Sequence, residues 1–279
     1  MKIKTTTLID MVAADEKIVG LTAWDYLFAN YADASGAEII LVGDSLSMTI
    51  RGDKNTLGID LEDMIYHTKM VSKGVRRALV VADMPFMSYQ VSPEQALVSA
   101  GRFVKEANAE AVKIEGGSEM AKTAARIIGA GIPVMGHIGL KPQSVNQIGG
   151  MKVQGRSLKE AKAMIDDARA LESAGVFALV LECVPAELSS IITESVEIPT
   201  IGIGAGLGCS GQIQVTADIL GLLETESPKH AKKYLDVSAI IKTALHDYVG
   251  EVKTSIFPDE SNTFEVAGEV MDAIRKKEF

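Results

Sequence analysis

Short apolar runs alternate along this chain with longer stretches at helical spacing, and most of the runs end in an acid or a glycine. Strands are predicted at Ile18–Ala23, Ile39–Gly43, Ala78–Ala82, Glu110–Glu115, Gly131–His137, Phe177–Glu182 and Ile198–Ile203. The pattern over Gln212–Leu223 is ambiguous and is read as a last strand and turn. Helices are predicted at Leu8–Glu16, Trp24–Ala34, Leu61–Lys73, Ser92–Ala107, Ser118–Ile128, Leu158–Ser173 and Ala186–Ser195. From Lys229 the tail reads as helical to Lys253 and irregular around Phe257-Pro258. Asp60 is placed to cap the helix after it, and Ser92-Pro93 pairs an N-cap with a proline at the first helical position. Ser47–Gly58 and Ile138–Gly155 read as long loops, which in compact domains are often functional.

Strands alternating with helices mean repeated βα units and a parallel sheet. Units of this number in 279 residues fit a closed (β/α)8 TIM barrel, taken as one domain over 1–279 with an N-terminal helix closing the bottom and a helical C-terminal tail. The runner-up is a doubly wound open sheet. The acids decide between them. Asp44, Asp83, Glu115 and Glu182 follow or end separate apolar runs, and such strand ends converge naturally only at a barrel mouth.

The run from Glu110 to Glu115 carries the sharpest chemistry. Pleating puts Lys113 and Glu115 on one face, Val112 and Ile114 on the other, and two glycines follow at once. A charged pair directed inward is costly to desolvate unless a ligand or metal uses it. Asp44 and Asp83 could both ligate a divalent metal, and hard carboxylate oxygens without Cys or His suit Mg²⁺ or Mn²⁺ better than Zn²⁺; each could instead cap its own loop. Lys113 could hold a substrate carboxylate or pair with Glu115. Glu182 could be a general base raised toward working pH by a dry pocket, or a carboxylate satisfied by backbone N–H groups. His137, at a strand end, reads as a hydrogen-bonding orienter; His67, His230 and His246 read as structural or exposed.

Composition narrows the partners. A net charge of −9 argues against a nucleic-acid backbone, which needs clustered Lys and Arg. The two cysteines, Cys183 and Cys209, give neither a disulfide framework nor a CxxC pair. No apolar run reaches the roughly 20 residues that span a bilayer, and Met1–Thr5 lacks the apolar core of a secretory signal. A cytoplasmic protein acting on small molecules, with no membrane partner, is expected. Gly206–Gly211 matches GxGxxG, but lies near the end of the chain rather than after a first strand, so a tight turn is preferred to a nucleotide loop.

With these segments in place the chain closely resembles the ketopantoate hydroxymethyltransferase family from Thr5 to Phe264. The resemblance rests on Leu41-Val42-Gly43-Asp44-Ser45, Tyr66-His67-Thr68, Ala82-Asp83-Met84-Pro85-Phe86-Met87 and Val112-Lys113-Ile114-Glu115-Gly116-Gly117. It continues through Gly136-His137-Ile138-Gly139-Leu140, Pro142-Gln143-Ser144, Lys152-Val153-Gln154-Gly155-Arg156, Leu181-Glu182-Cys183-Val184-Pro185 and Gly202-Ile203-Gly204-Ala205-Gly206. It implies a barrel of the phosphoenolpyruvate/pyruvate-binding type and a homo-oligomer, often a decamer of two pentameric rings. It also implies hydroxymethyl transfer from 5,10-methylenetetrahydrofolate to 3-methyl-2-oxobutanoate, giving 2-dehydropantoate for pantothenate synthesis. By the same resemblance Asp44 and Asp83 bind Mg²⁺ (or Mn²⁺), Glu115 belongs to the metal shell, and Glu182 accepts the proton. The oxo-acid set is Asp44, Ser45, Asp83, Lys113 and His137. The chemistry is consistent, because an oxo acid chelated by Mg²⁺ has its enolate stabilised.

Departures from the family pattern cluster away from the acids. Thr56-Leu57-Gly58 stands where Thr-Leu-Pro is usual, Ala217-Asp218 where a His-Asp pair is usual, His230 for Phe, Asn262 for His and Trp24 for Tyr. They bear on folate contacts, loop closure or subunit packing. Two other functions compete: a lyase or mutase of the same superfamily, whose Lys-Lys-Cys-Gly-His loop is absent here, and a non-catalytic barrel kept as an assembly or regulatory protein.

Overall fold

Eight parallel strands close into a barrel in strict sequence order, β1 through β8, with β8 pairing back onto β1. The computed structural model describes residues 1–224 and 228–277. In chain order the elements begin with α1 (Thr5–Ala13), β1 (Ile18–Thr22), α2 (Tyr26–Ala34), β2 (Ile39–Val42), a single turn α3 (Leu46–Thr49) and α4 (Leu61–Gly74). They continue with β3 (Leu79–Asp83), α5 (Pro93–Ala107), β4 (Ala111–Glu115), α6 (Ala121–Ile128), β5 (Val134–Gly139), the short α7 (Val145–Ile148) and α8 (Leu158–Ser173). The last are β6 (Ala178–Glu182), α9 (Ala186–Glu194), β7 (Thr200–Ile203), β8 (Gly211–Gln214), α10 (Thr216–Leu220), α11 (Val237–Lys253) and α12 (Gly268–Lys276).

Local chemistry sets these boundaries. The Asp25, Asp60 and Ser92 side chains accept from the N–H of Phe28, Asp63 and Gln95, satisfying donors that a helix start leaves free. Ser157 and Glu160 form a reciprocal capping box at the start of α8. Asn108 ends α5 in a left-handed conformation.

Alternation along the strands divides two cores. Ala111 on β4 packs with Leu79, Val81 and Met135 inside the barrel. Val112 and Ile114 face outward into the shell with Phe103, Ala124 and Ile127 of the surrounding helices. Ile3 and Leu8, with Met11 and Val12 of α1 beside them, join the interior cluster from its N-terminal end. The pleat that buries Ala111 therefore also turns Lys113 and Glu115 into the barrel, one and two steps nearer its C-terminal mouth.

The Gly206–Gly211 stretch is the tight turn preferred for it: residues 204–210 connect β7 directly to β8 with no helix between them, so one βα unit is reduced to a turn. Gly206 is held at positive φ where a Cβ would press on that of Ala186. The ambiguous stretch resolves into β8, which begins a residue before it, and α10. In the tail, helix starts only at Val237 and α12 follows the irregular region.

Candidate active site

The C-terminal ends of the strands open into a cavity of about 870 Å³. Its floor carries Asp44 from the turn after β2, Asp83 ending β3, Lys113 and Glu115 of β4, His137 of β5 and Glu182 ending β6. Parallel register supplies the juxtapositions: Asp83 lies beside Lys113, and Glu115 beside His137. Ser45 lines the same cavity from the start of α3. Every residue predicted from the sequence to touch substrate or metal is therefore in one place.

Lys113 Nζ donates to Asp83 Oδ1 at 2.6 Å, both groups almost fully buried. Its partner is thus Asp83 on the neighbouring strand rather than Glu115, because side chains two apart on one strand sit farther from each other than register partners do. Asp83 Oδ2 accepts from the Asp44 N–H at 3.3 Å, drawing the β2 turn onto β3. Burial alone would lower the Lys113 ammonium, but Asp83, Glu115 and Asp44 together raise it above its usual range. Asp44 is pushed well up by burial and then by Asp83 and Glu115, and Asp83 is also raised, chiefly by burial and against the pull of Lys113.

His137 sits between two carboxylates. Its Nδ1 is 3.6 Å from Glu115 Oε1 and its Nε2 is 3.2 Å from Glu182 Oε2. Burial and Lys113 act to lower it, yet the two acids win and raise it to about 9. Glu115 is correspondingly held low by His137 and Lys113 against its burial. Glu182 is the least enclosed acid, its side chain 16% exposed against 2% for Glu115. Its environment is an imidazole and open cavity, not the dry pocket expected of it, and its neighbour is a side chain rather than backbone N–H groups.

Sequence reasoning missed two organising residues. Gln143, in the turn after β5, donates from Nε2 to Asp44 Oδ2 and to the Met84 carbonyl, both at 2.9 Å. Its backbone N–H donates to Glu115 Oε2 at 3.0 Å, and its Oε1 accepts from the Tyr89 hydroxyl at 2.7 Å. Tyr89 in turn accepts from the Glu115 N–H at 3.1 Å. The only signal for Gln143 is its place in Pro142-Gln143-Ser144; a buried tyrosine such as Tyr89 carries none. His230, read as structural or exposed, instead lines the cavity half-buried, with Nδ1 3.9 Å from Cys183 Sγ. His67 is structural, bonded through Nδ1 to the Trp24 carbonyl at 2.6 Å.

The floor suits a hard divalent cation. Among the described residues of the floor, four carboxylates face the two cationic groups Lys113 and His137, and Glu115 Oε1 is buried with no hydrogen-bond partner. Asp44 is the group most disfavoured as an anion, which is the state a cation would relieve. Among the described residues no three His, Cys, Asp or Glu side chains are grouped to hold an ion unaided.

Among the described residues no helix is long and apolar enough to cross a membrane. Solved structures share the fold at low identity. A 2,3-dimethylmalate lyase aligns over 100% of this chain and 98% of its own with TM-score 0.59 and 16% identity. A phosphonopyruvate hydrolase aligns over 99% and 96% with TM-score 0.61 and 10% identity. Much nearer in sequence is a 3-methyl-2-oxobutanoate hydroxymethyltransferase of Carboxydothermus hydrogenoformans, 52% identical over 98% of this chain and 99% of the relative. Enzymes of the same name from Dehalococcoides mccartyi and Syntrophus aciditrophicus are each 51% identical, covering 99% and 94% of this chain and 98% and 97% of their own. The model of the ketopantoate hydroxymethyltransferase family matches residues 2–260. On sequence, fold and the composition of its barrel mouth, the chain belongs to the ketopantoate hydroxymethyltransferase family.

Proposed function

We propose that the chain transfers a hydroxymethyl group from 5,10-methylenetetrahydrofolate to 3-methyl-2-oxobutanoate, giving 2-dehydropantoate for pantothenate synthesis. The observation that carries this is the meeting of Asp44, Asp83, Lys113, Glu115, His137 and Glu182 on one cavity floor. Asp44 and Asp83, with Glu115 in the metal shell, would hold Mg²⁺ (or Mn²⁺), which when bound would supply Lewis-acid polarisation of the oxo acid's carbonyl. Lys113, fixed as a cation by Asp83, counters the substrate carboxylate, and Ser45 adds a hydroxyl to the lining of the same cavity. Glu182 takes the proton from C3, the only acidic C–H next to the carbonyl. His137, protonated between Glu115 and Glu182, orients that carboxylate and steadies its charge. The carbon nucleophile so exposed bonds to the donor's one-carbon unit; water supplies the hydroxyl oxygen as both C–N bonds of the methylene bridge break, and the two nitrogens take up one proton from that water and one from C3 as tetrahydrofolate leaves. A cavity near the upper end of ordinary ligand-site volumes has room for two substrates where the oxo acid alone would leave most of it empty.

The reading includes a cytoplasmic homo-oligomer of one-domain subunits, a decamer by the family resemblance. What supports association is α11, whose Ile241, Leu245 and Val252 are exposed apolar side chains. The test of function is solvent exchange at C3 of 3-methyl-2-oxobutanoate without folate. It should be fast and Mg²⁺-dependent. Bound oxo acid with no exchange would favour a non-catalytic barrel, and cleavage of the oxo acid a lyase.

A further inference from the structure

The wall of the cavity formed by β8 and α10 differs from its floor. Val215 and Leu223 lie there, with Met151 and Val153 also lining the cavity, so much of the lining is apolar and suited to a flat ring. Two polar groups interrupt it, and both are acceptors. Gln214 Nε2 donates to the His230 carbonyl at 3.3 Å, which fixes the amide and leaves Gln214 Oε1 buried without a partner. Asp218, one turn on, is half-buried and lines the cavity, and its side chain makes no hydrogen bond or ion pair to any described residue. Burial raises its carboxyl, and only the neighbouring His230 opposes that.

Two acceptor side chains, Gln214 Oε1 and the Asp218 carboxyl, with no hydrogen-bond partner among the described residues favour a ligand rich in N–H groups over a carboxylate. A planar 2-amino-4-oxo pyrimidine edge, as in a reduced pterin, offers two parallel N–H donors at the spacing of a carboxylate's two oxygens. We propose that Asp218, assisted by Gln214, is the specificity-determining subsite that receives the amino-pyrimidine edge of the one-carbon donor's pterin ring. The proposal rests on the transferase reading above. It assigns the donor to the β8–α10 wall and leaves the floor to the oxo acid.

The experiment compares wild-type protein with Asp218→Asn and Asp218→Ala, using tetrahydrofolate and its analogue lacking the 2-amino group as probes in equilibrium titrations. Folate-free C3 exchange, which needs no donor, reports that the fold and floor are intact. Wild-type protein should bind the analogue about tenfold or more weakly than tetrahydrofolate. In both variants tetrahydrofolate binding should weaken by a similar factor, and in Asp218→Ala the two probes should bind alike. Unchanged tetrahydrofolate affinity in an exchange-competent Asp218→Ala protein overturns the assignment. So does an analogue penalty that persists in that variant. Absence of exchange in the wild-type protein overturns the transferase reading instead, while the two-probe comparison still decides Asp218.

Discussion

His137 Nε2 lies 3.2 Å from Glu182 Oε2, and the same ring faces Glu115 through its other nitrogen. A base whose orientation depends on a second side chain should separate chemistry from binding when either is changed. Glu182→Gln keeps the shape and hydrogen-bonding capacity but cannot accept a proton. Transfer should fall by about 10²–10⁴-fold, the usual worth of a positioned base, and C3 exchange with it. Oxo-acid binding, which depends on Lys113, Ser45 and the Asp44–Asp83 pair, should change only a few-fold by calorimetry. Normal exchange in this variant would remove Glu182 from the mechanism.

Asp44 and Asp83 are chemically alike but differently partnered. Asp83 pairs with the buried Lys113, whereas Asp44 is crowded by Asp83 and Glu115 and is disfavoured as an anion. Removing the partner of a buried charge typically costs about 3–5 kcal/mol, so Asp83→Asn should lower the metal-free unfolding temperature. Asp44→Asn relieves repulsion and should raise it. Both should weaken Mg²⁺ activation of exchange by about tenfold or more. Thermal unfolding with and without Mg²⁺ checks the contrast; matched metal-free shifts of one sign would refute it.

Gln143 ties Asp44, Met84, Tyr89 and Glu115 into one network. Gln143→Ala leaves the side-chain partners short of a donor or acceptor, while the backbone N–H to Glu115 remains. A loss of about 1–3 kcal/mol in stability is expected for the unsatisfied buried groups. Exchange should also slow, with the Mg²⁺ requirement shifted to higher concentration as Asp44 loses its tether. Wild-type stability and Mg²⁺ response would show the network to be redundant.

The difference between Lys113 and Gln143 shows what a sequence discloses. Lys113 was legible because strand alternation is a rule of period two, and a charge on the inward face of an apolar run conflicts with its surroundings. The barrel was legible for the same reason, repeated at each acid-ended strand. Partner choice was not: Lys113 meets Asp83 through inter-strand register, which no single segment encodes. Gln143 lies in a turn of Ile138–Gly155, read as loop, and its partners come from residues as far off as Asp44, 99 positions away. His230 reaches the cavity from outside the barrel strands, so no periodicity pointed to it. Gly139 marks the end of β5 by its positive φ, where a Cβ would collide with the Glu182 carbonyl; that contact too is tertiary.

At the opposite end of the barrel Asp33 is built for stability rather than chemistry. From the end of α2 it accepts from the N–H groups of Arg76, Arg77 and Ala78, the residues that lead into β3. Burial acts to raise its carboxyl, but the hydrogen bonds from Ala78, Arg76 and Arg77 outweigh it and hold it below the ordinary aspartate range. The native state therefore binds this proton less readily than the unfolded chain. Its contribution is fully present above the unfolded value and is lost as the pH falls through the lower native one. Asp33→Ala should cost about 1–3 kcal/mol at neutral pH, since it strands backbone donors at a strand entry. The gap between variant and wild type should close on acidification below about pH 4. Denaturant unfolding at neutral and acid pH measures both, and a gap independent of pH would show that Asp33 acts through packing rather than through its charge.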